Sequence, residues 1–179
     1  MGKVVLITGG VRSGKSAWAL QRADESSQNQ KVFIATAESF DEEMKERIVN
    51  HQKERGKKWR TIEEPHDLAG TLDNLKDGTV AIIDCCTVWL GNIWHQFGDS
   101  DAVFEKHTEM FVQALQLWCD SDREGEVIIV SNEVGWGIVP LEKSVRRYRD
   151  WAGKLNQRIA SIADEVYLCV AGIGVRIKG

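Results

Sequence analysis

"LITGGVRSGKS", residues 6–16, is an apolar run that breaks into glycines and closes on a lysine and a serine. Its last eight residues, Gly9, Gly10, Val11, Arg12, Ser13, Gly14, Lys15 and Ser16, fit the pattern G-x-x-x-x-G-K-[ST] of a phosphate-binding loop. The pattern carries meaning only between a strand and a helix, and here "KVVLIT" before it reads as a buried strand and residues 16–28 after it as a helix. Gly9 and Gly14 let the backbone curl so that successive N–H groups point at phosphate oxygens. The positive end of the helix adds to that pull. Lys15 is expected to reach the β- and γ-phosphates, and the Ser16 hydroxyl to complete a Mg²⁺ shell. Arg12 has two readings: a phosphate contact or a solvated side chain.

Outward from this loop, apolar runs alternate with amphipathic ones. "KVVLIT", "KVFIATA", "TVAIID", "EVIIVSN" and "EVYLCVAG" are short, continuous and rich in β-branched residues, the mark of strands buried on both faces. The closing "AGIGVRIK" reads as a glycine turn into a last short strand. Helical patterns cover 16–28, 41–55, 66–76, 86–97, 102–120 and 143–163. That alternation predicts a mostly parallel sheet with helices on both sides, in one domain spanning 1–179. Pro65 and Pro140 fall outside every proposed element. Asp84 closes the apolar run "TVAIID", so it should stand at the C-terminal edge of the sheet beside the loop, where a second Mg²⁺ carboxylate is needed. The competing reading makes it a cap for the helix that starts near Thr87.

Bulk properties narrow the function classes. A chain of 179 residues with 42% hydrophobic and 28% charged residues can bury a core of its own. A net charge of −4 argues against nucleic acid as a partner, since duplex binders carry basic excess. "VVLIT" is far too short for a membrane span, and "MGKVVL" lacks the hydroxyl residue of a myristoylation signal. Cys85, Cys86, Cys119 and Cys169 have no C-x-x-C spacing, so buried reduced thiols in a cytoplasmic protein are expected, not a zinc site.

The stretch "SFDEEMKERIVNHQKER", residues 39–55, sets a lone imidazole among charged side chains. Ser39 and Glu42 fit a capping box, so a helix should open there. At 100° per residue Met44, Ile48, His51 and Arg55 share one stripe. His51 therefore faces inward beside an arginine suited to phosphate. Periodicity alone favours a packed, hydrogen-bonded histidine over a reactive one. His66, His95 and His107 have no metal-spaced partner either.

Larger blocks add to this. "LITGGVRSGKS", "IATA" followed by "DEEMKERI", "HQKERGKKWRTIEEP", "IIDCCTVWLGN", "VSNEVGWGIVP" and "RRYRDWAGKLNQRIASIADEVYLCVAGIGVRIK" together cover the chain nearly end to end. In them the chain resembles the bifunctional adenosylcobinamide kinase/adenosylcobinamide-phosphate guanylyltransferase family of cobalamin biosynthesis. The loop is generic; "SNEVGWGIVP" and the long C-terminal block are particular to that family. The resemblance implies an α/β fold of the P-loop NTPase class, with a RecA-like, mostly parallel sheet and helices on both faces. It implies two reactions. ATP or GTP phosphorylates the hydroxyl of adenosylcobinamide, and GMP from GTP is then transferred to adenosylcobinamide phosphate through a guanylyl-histidine, releasing pyrophosphate. The motif histidine of the family matches His51, ahead of Trp59, Arg60 and Thr61, which reverses the odds set by periodicity. Nucleotide contacts carry over to Ala35, Thr36 and Ala37, to Gln52, Lys53, Glu54 and Arg55, to Glu63 and to Asp84. Asn50 stands where some members have a second histidine, and Asp84 where some have glutamate. A homotrimer is also implied.

Neutral imidazole is a competent nucleophile near pH 7. The expected step is in-line attack by His51 on the α-phosphorus, with Arg55, Lys53 and Mg²⁺ offsetting charge. Asn132 and Glu133 should lie at the same edge of the sheet as the loop, either touching ligand or shaping a glycine turn. Two rival readings keep the loop: a plain small-molecule kinase with a structural His51, and a RecA-like regulatory module that binds nucleotide without transfer.

Overall fold

The computed structural model describes residues 1–28, 30–38 and 58–179. The expected helix 41–55, its capping pair Ser39 and Glu42, and His51, Gln52, Lys53, Glu54 and Arg55 lie outside the described residues.

The strands are β1 (Lys3–Gly9), β2 (Gln30–Ala35), β3 (Trp59–Glu63), β4 (Thr79–Asp84), β5 (Gly125–Asn132), β6 (Glu165–Val170) and β7 (Ile173–Lys178). The described helices are α1 (Lys15–Glu25), α2 (Leu68–Asp73), α3 (Cys86–Phe97), α4 (Asp101–Asp120) and α5 (Lys143–Ile162). The strands form one seven-stranded sheet in the order β3-β2-β4-β5-β1-β6-β7. All neighbouring pairs are parallel except β6 with β7.

Strand pleating divides the apolar residues between two cores. Val4, Leu6, Val32, Ile34, Ala81, Ile83, Val127 and Ile129 face α2, α3, α4 and α5. Their odd-numbered or even-numbered neighbours Val5, Ile7, Phe33, Val80, Ile82, Ile128 and Val130 face the side that carries α1, through Ala19 and Ala23. This two-sided burial is why the strands read as unbroken apolar runs and not as alternating ones. The long helices follow the same logic on the other component: α4 buries Phe104, Thr108, Phe111, Leu115 and Trp118 at steps of three and four. Ser100 caps it by accepting from the Val103 N–H at 3.2 Å. α5 buries Trp151, Ala152, Leu155 and Ile159 and keeps Arg146, Arg147, Arg149 and Arg158 half-buried.

Two elements differ from the sequence reading. β3 was absent from the expected strands. It is a five-residue edge strand whose odd spacing hides it: Trp59 packs into one core and Ile62 against the other, with Arg60 exposed between them. The helix expected over 66–76 is only α2, because Asn74 turns its side-chain amide back onto the Gly70 carbonyl at 2.7 Å and stops it.

The far edge of the sheet is tied by charge. Arg22 of α1 donates to Glu126 at 2.7 Å and Glu165 at 3.1 Å, at the starts of β5 and β6, and Lys3 also pairs with Glu165. This network clamps α1 to the sheet at the end opposite the glycine loop.

Candidate phosphate and metal site

β1 ends at Gly9 and α1 starts at Lys15, so residues 9–14 must reverse within a few bonds. Gly9 holds φ 151° and Gly14 φ 93°, both in territory reserved for glycine. Close approach adds a second reason. A Cβ on Gly9 would lie 2.4 Å from the Cys169 carbonyl oxygen, and one on Gly14 would lie 2.8 Å from Gly172 Cα. The β6–β7 turn thus braces the loop from outside, and the Gly172 N–H donates to the Ser13 carbonyl at 2.8 Å. Arg12 itself takes φ 56° and is exposed.

Lys15 is buried, with Nζ donating to the Gly10 carbonyl at 2.6 Å and more weakly toward Ser13 Oγ at 3.4 Å. Burial pushes its pKa below the ordinary lysine value, and the charge of Asp84 works against that push. Burial raises the thiols of Cys85 and Cys169, so both stay protonated near neutrality.

Sheet register sets the rest. Ala35 pairs with Glu63 on one side and Asp84 on the other, and Asp84 pairs with Val130. Gly9 pairs with Asn132. Residues distant in sequence therefore stand in one row along the C-terminal edge. A cavity of about 600 Å³ opens there, lined by residues 11–17 of the loop and α1 together with Asp84, Cys85, Val130 and Asn132. Lys15, Ser16 and Asp84 share this one space. Asp84 is the last residue of β4, and the position that caps α3 is Cys85, without a side-chain cap bond.

The remaining site candidates separate. Thr36 is fully buried and does not line the cavity. Its hydroxyl donates to the Cys85 carbonyl at 2.9 Å and accepts from the Cys85 N–H at 2.8 Å, and its own N–H reaches the Asp84 carbonyl at 3.2 Å. Asn92 of α3 then donates to the Thr36 carbonyl at 2.7 Å and the Pro65 carbonyl at 3.2 Å. These bonds hold the corner that presents Asp84. Ala35 and Glu63 lie in the same row without lining the cavity. Ala37 follows Thr36 beyond β2 and does not line it either. Asn132 lines the cavity and donates to Thr87 Oγ1 at 2.7 Å. The Glu133 carboxylate turns away to accept from the Gly135 N–H at 2.8 Å, the turn-shaping role. Cys85, Val130 and Ala17 were not singled out from sequence. Apolar or small side chains that wall a cavity carry no motif; only the adjacency of Cys85 to Asp84 pointed there.

His66 and His107 serve packing. His107 bonds the Val103 carbonyl of its own helix through Nδ1 at 2.8 Å and stacks on Phe97. His66 lies 4.0 Å from Glu38 and edge-on to Phe97. Neither His66, His95 nor His107 lines the cavity. Among the described residues no group of three or more His, Cys, Asp or Glu side chains clusters around a metal-sized space.

Comparison with known proteins gives a consistent picture. The family described as cobinamide kinase / cobinamide phosphate guanyltransferase matches residues 5–177. The bifunctional adenosylcobalamin biosynthesis protein CobU of Escherichia coli (strain K12) is 37% identical over 98% of this chain and 99% of its own length. CobP of Pseudomonas aeruginosa, of the same description, is 41% identical over 97% and 96%. Among solved structures, the RadB recombinase superposes with a TM-score of 0.52 at 16% identity, covering 93% of this chain and 73% of that one. An ATPase from a bacterial type III secretion system superposes with a TM-score of 0.55 at 12% identity, covering 97% and 56%. At such low identity these likenesses speak for the fold alone, which is that of the P-loop NTPases.

Proposed function

The chain belongs to the cobinamide kinase / cobinamide phosphate guanyltransferase family, and from that premise we propose how its residues divide the two reactions. It is a bifunctional enzyme of adenosylcobalamin biosynthesis, phosphorylating cobinamide and then guanylating the phosphate. The observation that carries the assignment of the first reaction is the meeting of Lys15, Ser16 and Asp84 around one cavity at the sheet edge.

In the kinase step the triphosphate of ATP or GTP lies along residues 9–16. Lys15 exchanges its bond to the Gly10 carbonyl for phosphate oxygens, and the helix end adds its partial charge. The substrate hydroxyl oxygen forms a bond to the γ-phosphorus as the bond to the β-bridging oxygen breaks. The hydroxyl proton leaves to solvent, and the nucleoside diphosphate departs. The donor set fits Mg²⁺: a serine hydroxyl and a carboxylate are hard oxygens, and this ion takes few protein ligands beside substrate phosphates. Bound there, Mg²⁺ would neutralise charge on the transferring phosphoryl group. Asp84 is oriented for that task by the Thr36–Cys85 bonds and the Asn92 staple.

In the transferase step a ring nitrogen of His51 attacks the α-phosphorus of GTP. A nitrogen–phosphorus bond forms, the bond to the β-bridging oxygen breaks, and pyrophosphate leaves. An oxygen of cobinamide phosphate then attacks the same phosphorus, the nitrogen–phosphorus bond breaks, and free imidazole returns with cobinamide-GDP as product. Arg55, Lys53, Gln52 and Glu54 act beside it in nucleotide binding, with Ala35, Thr36, Ala37 and Glu63 along the sheet edge. GTP labelled at the α-phosphate tests this. After denaturation, acid-labile and base-stable label should remain on wild-type protein and vanish in His51→Ala. Cobinamide phosphorylation with no such label would leave a plain kinase, and nucleotide binding without any turnover would leave a regulatory module.

The whole of 1–179 acts as one domain and works in the cytoplasm. The free thiols Cys85, Cys86, Cys119 and Cys169 suit that reducing compartment, and no described helix is long and apolar enough to cross a membrane. Self-association into a trimer has support in β7, an edge strand that leaves Ile173, Val175 and Ile177 exposed on one face.

A further inference from the structure

The segment between β5 and α5, residues 133–142, takes part in neither reaction as derived above. It exposes an unusual set of side chains: Trp136 is 76% exposed, Ile138 96%, Val139 65% and Leu141 91%. Single exposed apolar residues are ordinary, but four within six positions mark a contact surface. The display is enforced from beneath. The Arg149 guanidinium of α5 donates to the carbonyls of Gly135 at 2.7 Å and Ile138 at 2.9 Å, and reaches Gly137 at 3.4 Å. Arg146 donates to the Pro140 carbonyl at 2.9 Å and also to Leu141. Gathering these carbonyls on the helix side fixes the loop backbone around Trp136 and Val139 and leaves the side chains of Ile138 and Leu141 exposed. Charge-assisted bonds of this kind are the stronger sort. The near end is tied as well, since the Glu133 N–H donates to the Gly9 carbonyl at 2.9 Å and its carboxylate accepts from Gly135. The loop is preorganised before anything binds it.

We propose that this loop is the platform on which the corrinoid macrocycle of the acceptor docks, so that its hydroxyl-bearing arm reaches the phosphate cavity. The proposal rests on the family reading given above. Two observations, together with the size of the acceptor, select this occupant. Asn132 lines the phosphate cavity, and Trp136 follows four residues later, so the chain can carry the platform no farther than ~14 Å from the cavity wall at Asn132. The macrocycle is large and amphipathic and must stay outside a cavity filled by triphosphate, while its arm enters. Gly137 leaves its backbone bare on the outer side, where an added Cβ would meet nothing within 4 Å, as a broad ligand lying across the loop requires.

The test is a double variant, Trp136→Ala with Ile138→Ala, in the full chain, with Trp136→Phe as a conservative companion. Both positions are solvent-exposed, so folding is checked simply by an unchanged melting curve. Three readouts are needed: KM for cobinamide in the kinase reaction, Kd for GTP, and native mass by light scattering. Equilibrium dialysis with cobinamide alone supplies a fourth, independent of turnover. The double variant should raise cobinamide KM roughly tenfold or more, as expected for the loss of two buried apolar contacts. GTP affinity and native mass should not change, and Trp136→Phe should keep most of the cobinamide affinity. Unchanged cobinamide KM and dialysis affinity overturn the platform while the kinase reading stands. A fall in native mass also overturns it, in favour of a contact between copies of the chain. If wild-type protein binds cobinamide through the loop yet never phosphorylates it, the loop stands and the kinase reading fails.

Discussion

A single buried hydroxyl shows how much of this site depends on bonds made behind the cavity wall. Thr36 Oγ1 satisfies both the N–H and the carbonyl of Cys85, next to the carboxylate assigned to the metal. Thr36→Val keeps shape and removes both partners at a fully buried position. Leaving those groups unpaired should cost ~2–3 kcal/mol, read as a lower urea midpoint. It should also weaken Mg²⁺-dependent nucleotide turnover more than nucleotide binding, because Asp84 loses its mounting. Equal loss of both would contradict the positioning role. The family resemblance makes Thr36 a nucleotide contact; its side-chain hydroxyl and carbonyl also bond Cys85, just past β4, and Asn92 of α3, 49 and 56 positions away. Lys15, Ser16 and Asp84 were legible because their chemistry is stated by local spacing and by a lone acid at the end of an apolar run. The bonds that join Thr36, Asn92 and Cys85 were not, because they are long-range contacts that leave no local pattern.

At the scale of elements, the β1–α1 junction illustrates a motif whose glycines are demanded twice, by dihedral angle and by a neighbour. Gly14→Ala must hold an alanine at φ 93° with its Cβ 2.8 Å from Gly172 Cα. The β6–β7 turn has to move for it to fit. We expect a loss of at least ~1–3 kcal/mol in stability from the strained backbone and the clash. Nucleotide affinity should fall further still, since the N–H cradle shifts with the turn; calorimetric titration of GTP against the variant measures it. Unaltered affinity would mean that the brace is incidental. The brace itself was not readable beforehand. "AGIGVRIK" announced a turn and a strand, but not that the turn would press on the loop some 160 residues earlier in the chain. Strand β3 escaped for a related reason: an edge strand packed on two cores by Trp59 and Ile62 has neither the unbroken apolar run of a central strand nor a clean alternation.

For the molecule as a whole, reactive and structural charge sit at opposite ends of one sheet. The Lys3–Arg22–Glu126–Glu165 network closes the end remote from the phosphate cavity. Burial by itself would raise the Glu165 carboxyl, but bonds from Lys3, Tyr167 and Arg22 outweigh it and hold it at about 2, below the ordinary 4.5. A depressed carboxyl contributes stability that is complete above 4.5 and is lost as pH falls toward 2. Between neutral pH and pH 3 this group should forfeit roughly 2 kcal/mol, and urea unfolding of wild type against Glu165→Gln at both pH values checks it. The wild type should lose the larger share; an equal slope would show the network to be inert. By itself the amino-acid order determined the class of fold and the chemistry at the phosphate loop, because hydrophobic period, glycine placement and the lysine–serine pair act over a few residues. Only the tertiary structure decided which strand stands beside which, that Asp84 faces Lys15, and that two arginines of α5 hold the 133–142 loop. Those outcomes depend on sheet order and on packing between distant segments, and free energies of that kind are sums over contacts that no local stretch contains.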